Sequence, residues 1–160
     1  MYHLFWGGHL SQWSRHSFTI GQDTYNCAEQ YMMAMKARTF DDKIALDCIM
    51  ASKDPAFQKA MGKKVKNFDP NIWSAVSMDI VLRGSLAKFT QNYDALSYLL
   101  AIREEIVEAS PYDIIWGIGL GENDPDAQDK TKWRGENKLG IVLMEVRDSI
   151  WKTRRATTQK

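Results

Sequence analysis

Apolar positions along this chain change their spacing early. The first 25 residues read as extended segments and turns, and almost everything after them carries helical periodicity. Met1 to Trp6 is strand-like and stops at Gly7-Gly8. Ser17–Ile20 and Asp23–Tyr25 flank Gly21-Gln22, which predicts a tight hairpin with positive φ at the glycine. From Asn26, a good N-cap residue, Ala28, Tyr31, Met32 and Met35 recur at i, i+3, i+4 and i+7. Met33 and Ala34 add apolar groups on other faces, so this helix is predicted to be buried nearly all round.

Later helix starts are punctuated. Asp54-Pro55 and Asp69-Pro70 each set a capping acid before a proline at the first helical position. The stripes they open are Phe57, Met61 and Val65 in one case, and Trp73, Val76 and Ile80 in the other. Asp41 or Asp42 caps a short helix through Ile44, Cys48 and Ile49, and Asn92 opens one through Leu96, Leu99, Leu100, Ile102 and Ile106. The last helix follows Asn137, with Leu139, Leu143, Val146 and Ile150 on one stripe. The expectation is a mainly α fold: a single helical domain over residues 1–151 with a small N-terminal β element, then a basic C-terminal tail, residues 152–160.

Composition narrows the function classes. The chain has 160 residues, enough for one core. Lys plus Arg (21) nearly cancel Asp plus Glu (20), so no whole-protein field draws in nucleic acid. Cys27 and Cys48 lie in apolar-periodic segments without a CxxC partner, and both read as core thiols in a reducing compartment. No His or Cys pair has metal-ligand spacing, and no apolar run approaches the ~20 residues of a membrane span. The expectation is a soluble, cytoplasmic protein with no metal, no cofactor and no membrane partner.

Candidate chemistry gathers in two places. The first is Asp113-Ile-Ile-Trp116-Gly117-Ile-Gly119-Leu-Gly121, followed after a polar loop by Trp133-Arg134-Gly-Glu-Asn137. Glycines let backbone N–H groups approach a ligand. Trp, Arg and Asn offer a stacking face, a charged fork and a two-way hydrogen bonder. The glycine spacing is not that of a dinucleotide fingerprint, and a polar loop follows where that motif needs a helix. Asp113 also suits plain turn chemistry, Trp73 and Trp116 suit a core, and Asn137 suits a helix cap. The second place is the first long helix, where Glu29 and Lys36 stand two turns apart on one face. Glu29 has a competing structural reading, because Asn26-x-x-Glu29 approximates a capping box. Lys36 has one as a snorkelling lysine.

Several ordered motifs carry a resemblance. Tyr25-x-x-x-Glu29-x-Tyr31-x-x-x-x-Lys36, Asp113-x-x-Trp116-Gly117-x-Gly119, Trp133-Arg-Gly-x-Asn137-x-Leu-Gly140 and Leu143-Met-x-Val-Arg147 together resemble the NADAR family of YbiA-like N-glycosidases. The likeness runs from about Phe5 to Ile150, nearly the whole chain. Leu10-Ser11-Gln12-Trp13 resembles the family's N-terminal motif, with Gln12 where Asn is usual. The polar insert from Glu122 to Lys132 resembles that of longer-loop members.

The resemblance implies hydrolysis of the N-glycosidic bond between a phospho- or ADP-ribose and an amino group of a pyrimidine or guanine base. Phosphoribosylamino-pyrimidine riboflavin intermediates and ADP-ribosylated guanosine are the two substrate types. The partner is then a nucleotide-like small molecule, with ADP-ribosylated DNA or RNA as a wider class. By residue matching, Glu29, Asp113 and Lys36 are candidate catalytic groups. Ser11, Trp13, Trp73, Trp116, Gly117, Gly119, Trp133, Arg134 and Asn137 are candidate substrate contacts, with loop N–H groups receiving phosphate. The chemistry suits these types: an oxocarbenium-like sugar is stabilised by a carboxylate, and a second carboxyl manages the leaving amine or the water. A non-catalytic ADP-ribose or nucleotide-binding module is the alternative, and it tolerates a Glu29 committed to capping.

Overall fold

The computed structural model describes residues 1–158. In chain order the elements are β1 (Tyr2–Phe5), β2 (Phe18–Ile20), β3 (Asp23–Tyr25), α1 (Ala28–Thr39), α2 (Lys43–Ala51), α3 (Pro55–Gly62), α4 (Pro70–Gln91), α5 (Tyr93–Ala101), β4 (Glu105–Glu108) and α6 (Lys138–Thr158). Short 3-10 turns occur at Gly8–Leu10, Pro125–Gln128 and Lys130–Lys132. The fold is mainly helical, as the periodicity predicts. Two compact units form, one from Gln12–Asn92 and the other from Met1–Ser11 with the chain from Tyr93 onward.

In the Gln12–Asn92 unit, β2 and β3 pair antiparallel about Gly21, whose φ is +64°. α1 is the central element, packed by α2, α3 and α4, and eight of its residues are buried. Tyr31 reaches from it into an aromatic group with Phe18 and Tyr25. Gly84 makes room on α4 for that ring: a Cβ there would sit 2.5 Å from Tyr31 Cδ1. Asp42, Asp54 and Asp69 each accept first-turn N–H bonds and cap α2, α3 and α4.

Two stripes differ from the periodicity. Ile44 and Phe57 are exposed, while Ala45 and Ile49 of α2 and Pro55, Gln58 and Gly62 of α3 face inward. At Gly62 the approach of α1 leaves room for no side chain, and at position 58 an amide is held by hydrogen bonds. A Cβ on Gly62 would run into Met33 Sδ, and the Gln58 amide is spent on Asn26 Oδ1 and the Ser52 carbonyl. Cys27 is buried as expected, but Cys48 is only half-buried.

In the other unit, β1 pairs parallel with β4, Tyr2 opposite Glu105 through Phe5 opposite Glu108. β4 is unpredicted: Ile106, assigned by its spacing to a helix, is in this strand, fully buried. Arg147 of α6 braces the turn before β4, with Nη1 donating to the Ile102 and Glu104 carbonyls. Residues 152–158 continue α6 and are exposed, and Lys160 lies outside the described residues. No helix among the described residues is long and apolar enough to cross a membrane.

Candidate functional site

The Gln12–Asn92 unit carries the helix cluster. Glu29 is the second residue of α1 and is buried, with 6% of its surface exposed. Lys36, two turns on, is half-buried, and its Nζ lies 4.5 Å from the Phe68 ring centroid and 5.8 Å from that of Trp73. Burial lowers the Lys36 pKa from the usual lysine range, against the opposing pull of the Glu29 carboxylate, and Lys63 adds to the lowering. The structure thus brings Glu29, Lys36 and Trp73 together. The Glu29 N–H donates to the Gln12 carbonyl at 2.9 Å, clasping the segment before Trp13 to the start of α1. Trp13 is exposed, and Ser11, in the other unit, is half-buried.

The capping-box reading of Glu29 is corrected. Cys27, not Asn26, occupies the cap position, and it makes no side-chain cap bond. The side chain that reaches back belongs to Gln30: its Oε1 accepts the Asn26 N–H at 2.7 Å. Its Nε2 donates to the Ile49 and Ser52 carbonyls at 3.0 and 3.1 Å. The bond ends on Asn26, one residue before the cap Cys27, so it braces the entry to α1 without being a capping box.

Sequence reasoning missed Gln30 and also Phe68. A signal for Phe68 was present. It stands just before the cap Asp69, and Trp73 is the fourth residue of α4, the two positions of a hydrophobic staple.

The other unit carries the glycine loop. Asp113 Oδ1 accepts from the Ile115 and Trp116 N–H groups at 2.9 and 2.8 Å, leaving Oδ2 without a partner among the described residues. The Ile118 N–H goes to the Glu108 carbonyl and that of Gly119 to the Asp113 carbonyl. The loop's N–H groups at these four positions are therefore spent on its own shape, against the expectation that they receive phosphate.

The carbonyls of Ile114, Ile115, Trp116, Gly117 and Ile118 accept in turn from residues 134–139. Backbone meets backbone there, and a Cβ on Gly135 would strike the Gly117 carbonyl. These glycines serve close packing; Gly119, at φ +72°, also needs its freedom of conformation.

Several residues expected at the substrate also make bonds within the fold. Asn137 directly precedes α6, and its carbonyl accepts the Ile141 N–H, but its side chain does not cap: at φ +53°, Oδ1 accepts the Glu108 N–H and Nδ2 donates to the Ile106 carbonyl. Trp133 donates from its indole to the Ala127 carbonyl and packs on Tyr2, with ring centroids 5.1 Å apart. Both residues also line a shallow hollow of about 280 Å³ with Glu105, Lys130 and Glu136. Trp116 is half-buried and Arg134 exposed.

Comparison with known proteins adds what geometry does not. The NADAR domain matches residues 4–151. The chain belongs to the NADAR family. It is 45% identical over 125 residues to N-glycosidase R617 of Acanthamoeba polyphaga mimivirus, covering 78% of this chain and 74% of that protein. It is 38% identical over 130 residues to Protein irg-1 of Caenorhabditis elegans, covering 79% of this chain and 61% of irg-1. The fold matches the NMR structure of the E. coli protein YbiA with a TM-score of 0.78 at 23% identity, over 96% of this chain and 86% of that one.

Proposed function

We propose that this NADAR protein is an N-glycosidase that hydrolyses the bond between a phospho- or ADP-ribose and an exocyclic amine of a pyrimidine or guanine. Its NADAR domain spans residues 1–151, with 152–160 as an appendage. The observation that carries the reading is the cluster on α1, in which a buried Glu29 and a partly dehydrated Lys36 share one side with Trp73. A carboxylate taken out of water stabilises positive charge developing at the anomeric carbon. Asp113 enters by its match to the family's motif, and its Oδ2, without a partner among the described residues, suits proton transfer to the leaving amine or from water.

Lys36 acts directly on the sugar. With the substrate's ribose opened to its protonated imine, the neutral Lys36 amine adds to C1. One proton passes from Lys36 to the base nitrogen, and the C1–base bond breaks to release the free base amine and leave a protonated lysyl imine. Water then hydrolyses the lysyl imine, returning a free sugar and a free amine. Burial favours this role because a lowered pKa raises the fraction of neutral, nucleophilic amine.

A binding module needs no such group, and the side chain that reaches back over the start of α1 is that of Gln30, not Glu29. The test is a product assay by mass spectrometry with a phosphoribosylamino-pyrimidine and with ADP-ribosylated guanosine. Release of free base from one of them is expected. Tight binding of both without release would establish the module instead.

A further inference from the structure

Phe68 and Trp73 occupy the two positions of a hydrophobic staple around the cap of α4. A staple asks only for apolar side chains, and leucine serves it. Here both positions hold rings, and both rings bear on one ammonium, Lys36 Nζ, at 4.5 and 5.8 Å from their centroids. The nearer ring is the more exposed: Phe68 leaves 43% of its surface open.

An exposed phenylalanine is free to swing unless something holds it, and two contacts do. The buried Phe40 packs edge-on against it, with centroids 5.3 Å apart and planes at 66°. Two residues upstream, the Lys66 N–H donates to Asp42 Oδ2 at 2.9 Å, tying the loop that carries Phe68 to the cap of α2. The ring is fixed in place at an open surface, over a lysine. Core packing asks for burial, and the staple asks for no ring, so the aromatic character is left for the ammonium to use. A ring face attracts a cation through its quadrupole, and its bulk strips water from the same cation.

We propose that Phe68 is a positioning residue: with Trp73 it forms an aromatic seat that holds the Lys36 amine in one place and dehydrates it before substrate arrives. This rests on the glycosidase reading and deepens it. The charged groups that bear on the seated amine are Glu29 of α1, which favours the protonated form, and Lys63 at the end of α3, which disfavours it. Removing the Phe68 ring lets water reach the amine and also removes the quadrupole's hold. Because burial is the largest influence on this lysine, the rehydration wins and Lys36 becomes more basic.

The test reads Lys36 itself, in the full chain and without substrate. Lysines are labelled competitively with an amine-reactive reagent from about pH 7 to about pH 11, and the midpoint for Lys36 is read by peptide mass spectrometry. Wild-type Lys36 is expected to react at lower pH than the exposed lysines. Phe68→Leu should raise its midpoint by about half a unit or more, and Phe68→Tyr, which keeps the ring face, should restore it. Phe68→Met is the second aliphatic variant should the leucine protein not fold.

In turnover, the aliphatic variants should lose about tenfold in kcat with KM changed less than about threefold, and tyrosine should recover the rate. A folded aliphatic variant with an unmoved Lys36 midpoint overturns the seat. So does full activity without a ring at position 68. If wild type releases no base from either substrate, the glycosidase reading falls while the labelling still decides the seat.

Discussion

Asn137 offers a sharp test, because its amide has two mutually exclusive employments: holding substrate or holding the fold. In the structure, Oδ1 and Nδ2 each bond a backbone group of β4, at 2.9 Å to the Glu108 N–H and 3.0 Å to the Ile106 carbonyl. Ile106 is fully buried, so Asn137→Ala strands a carbonyl where water does not reach. Each such loss costs about 1–3 kcal/mol. Alanine also pays about 1 kcal/mol for the left-handed backbone at φ +53°, which asparagine tolerates.

The sum is about 4 kcal/mol, which for a chain of this size lowers Tm by about 10 °C. Urea denaturation and calorimetry measure it directly. Asn137→Gly should recover about 1 kcal/mol by relieving the backbone alone. Asn137→Asp should recover little, since a carboxylate then faces the Ile106 carbonyl. A fall in Tm below about 3 °C in Asn137→Ala, accompanied by a raised KM, would refute the structural assignment and return the residue to the substrate.

Three other outcomes are expected. Glu29→Gln should lose at least about a hundredfold in turnover with Tm almost unchanged. Gln30→Ala should do the reverse, losing about 1–3 kcal/mol of stability as the Asn26 N–H loses its partner, while the Ser52 carbonyl keeps Gln58 and the Ile49 carbonyl keeps the Ser52 N–H. Swapped phenotypes would exchange the two roles. Lys36→Arg and Lys36→Ala should be similarly inactive, and borohydride should trap a sugar adduct on wild type, whereas an active arginine variant would leave Lys36 as a mere phosphate holder. Asp42 accepts the Lys66 and Ala45 N–H groups, in that order of effect, which holds its carboxyl below the usual range. Its contribution to stability is therefore full above the ordinary aspartate pKa of about 3.9 and is lost as pH falls through the lower folded value. The Tm gap between wild type and Asp42→Asn should be widest near neutrality and narrow below about pH 3.5; a gap constant with pH would contradict this.

Local punctuation was legible in the chain and long-range pairing was not. Asp42, Asp54 and Asp69 cap as their positions predict, because a cap needs only the next three residues. Gly21 turns its hairpin for the same reason. β4 was invisible because a four-residue strand takes its hydrogen bonds from β1, about a hundred residues away in sequence, and the apolar run through it fits a helix equally well. Ile44 and Phe57 were misplaced because periodicity finds a stripe but does not weigh how closely a neighbouring helix approaches. At Gly62 that approach leaves no room for a side chain, and at Gln58 the buried place goes to an amide bonded to Asn26 and Ser52.

The candidate site divides along the same line. Motifs read from residue type alone conflate a group that binds with a group that braces, since both need donors, acceptors and glycines. Only the other end of each hydrogen bond tells them apart. In the glycine loop that end is always backbone: Asp113 Oδ1 on two N–H groups, and five successive loop carbonyls on residues 134–139. A segment so fully bonded to itself offers a ligand little besides side-chain atoms at its rim, and Asp113 Oδ2 is such an atom.

On α1 the division is reversed. The bracing falls to Gln30, and its neighbour Glu29 has a carboxylate that the helix start does not need. Burying a charge is costly unless an opposite charge bears on it, and the Lys36 ammonium two turns on is such a charge. In the proposed glycosidase, that pair sets an anion to face the developing sugar cation beside an amine whose pKa burial has lowered, and the Glu29→Gln variant is where this stands or falls.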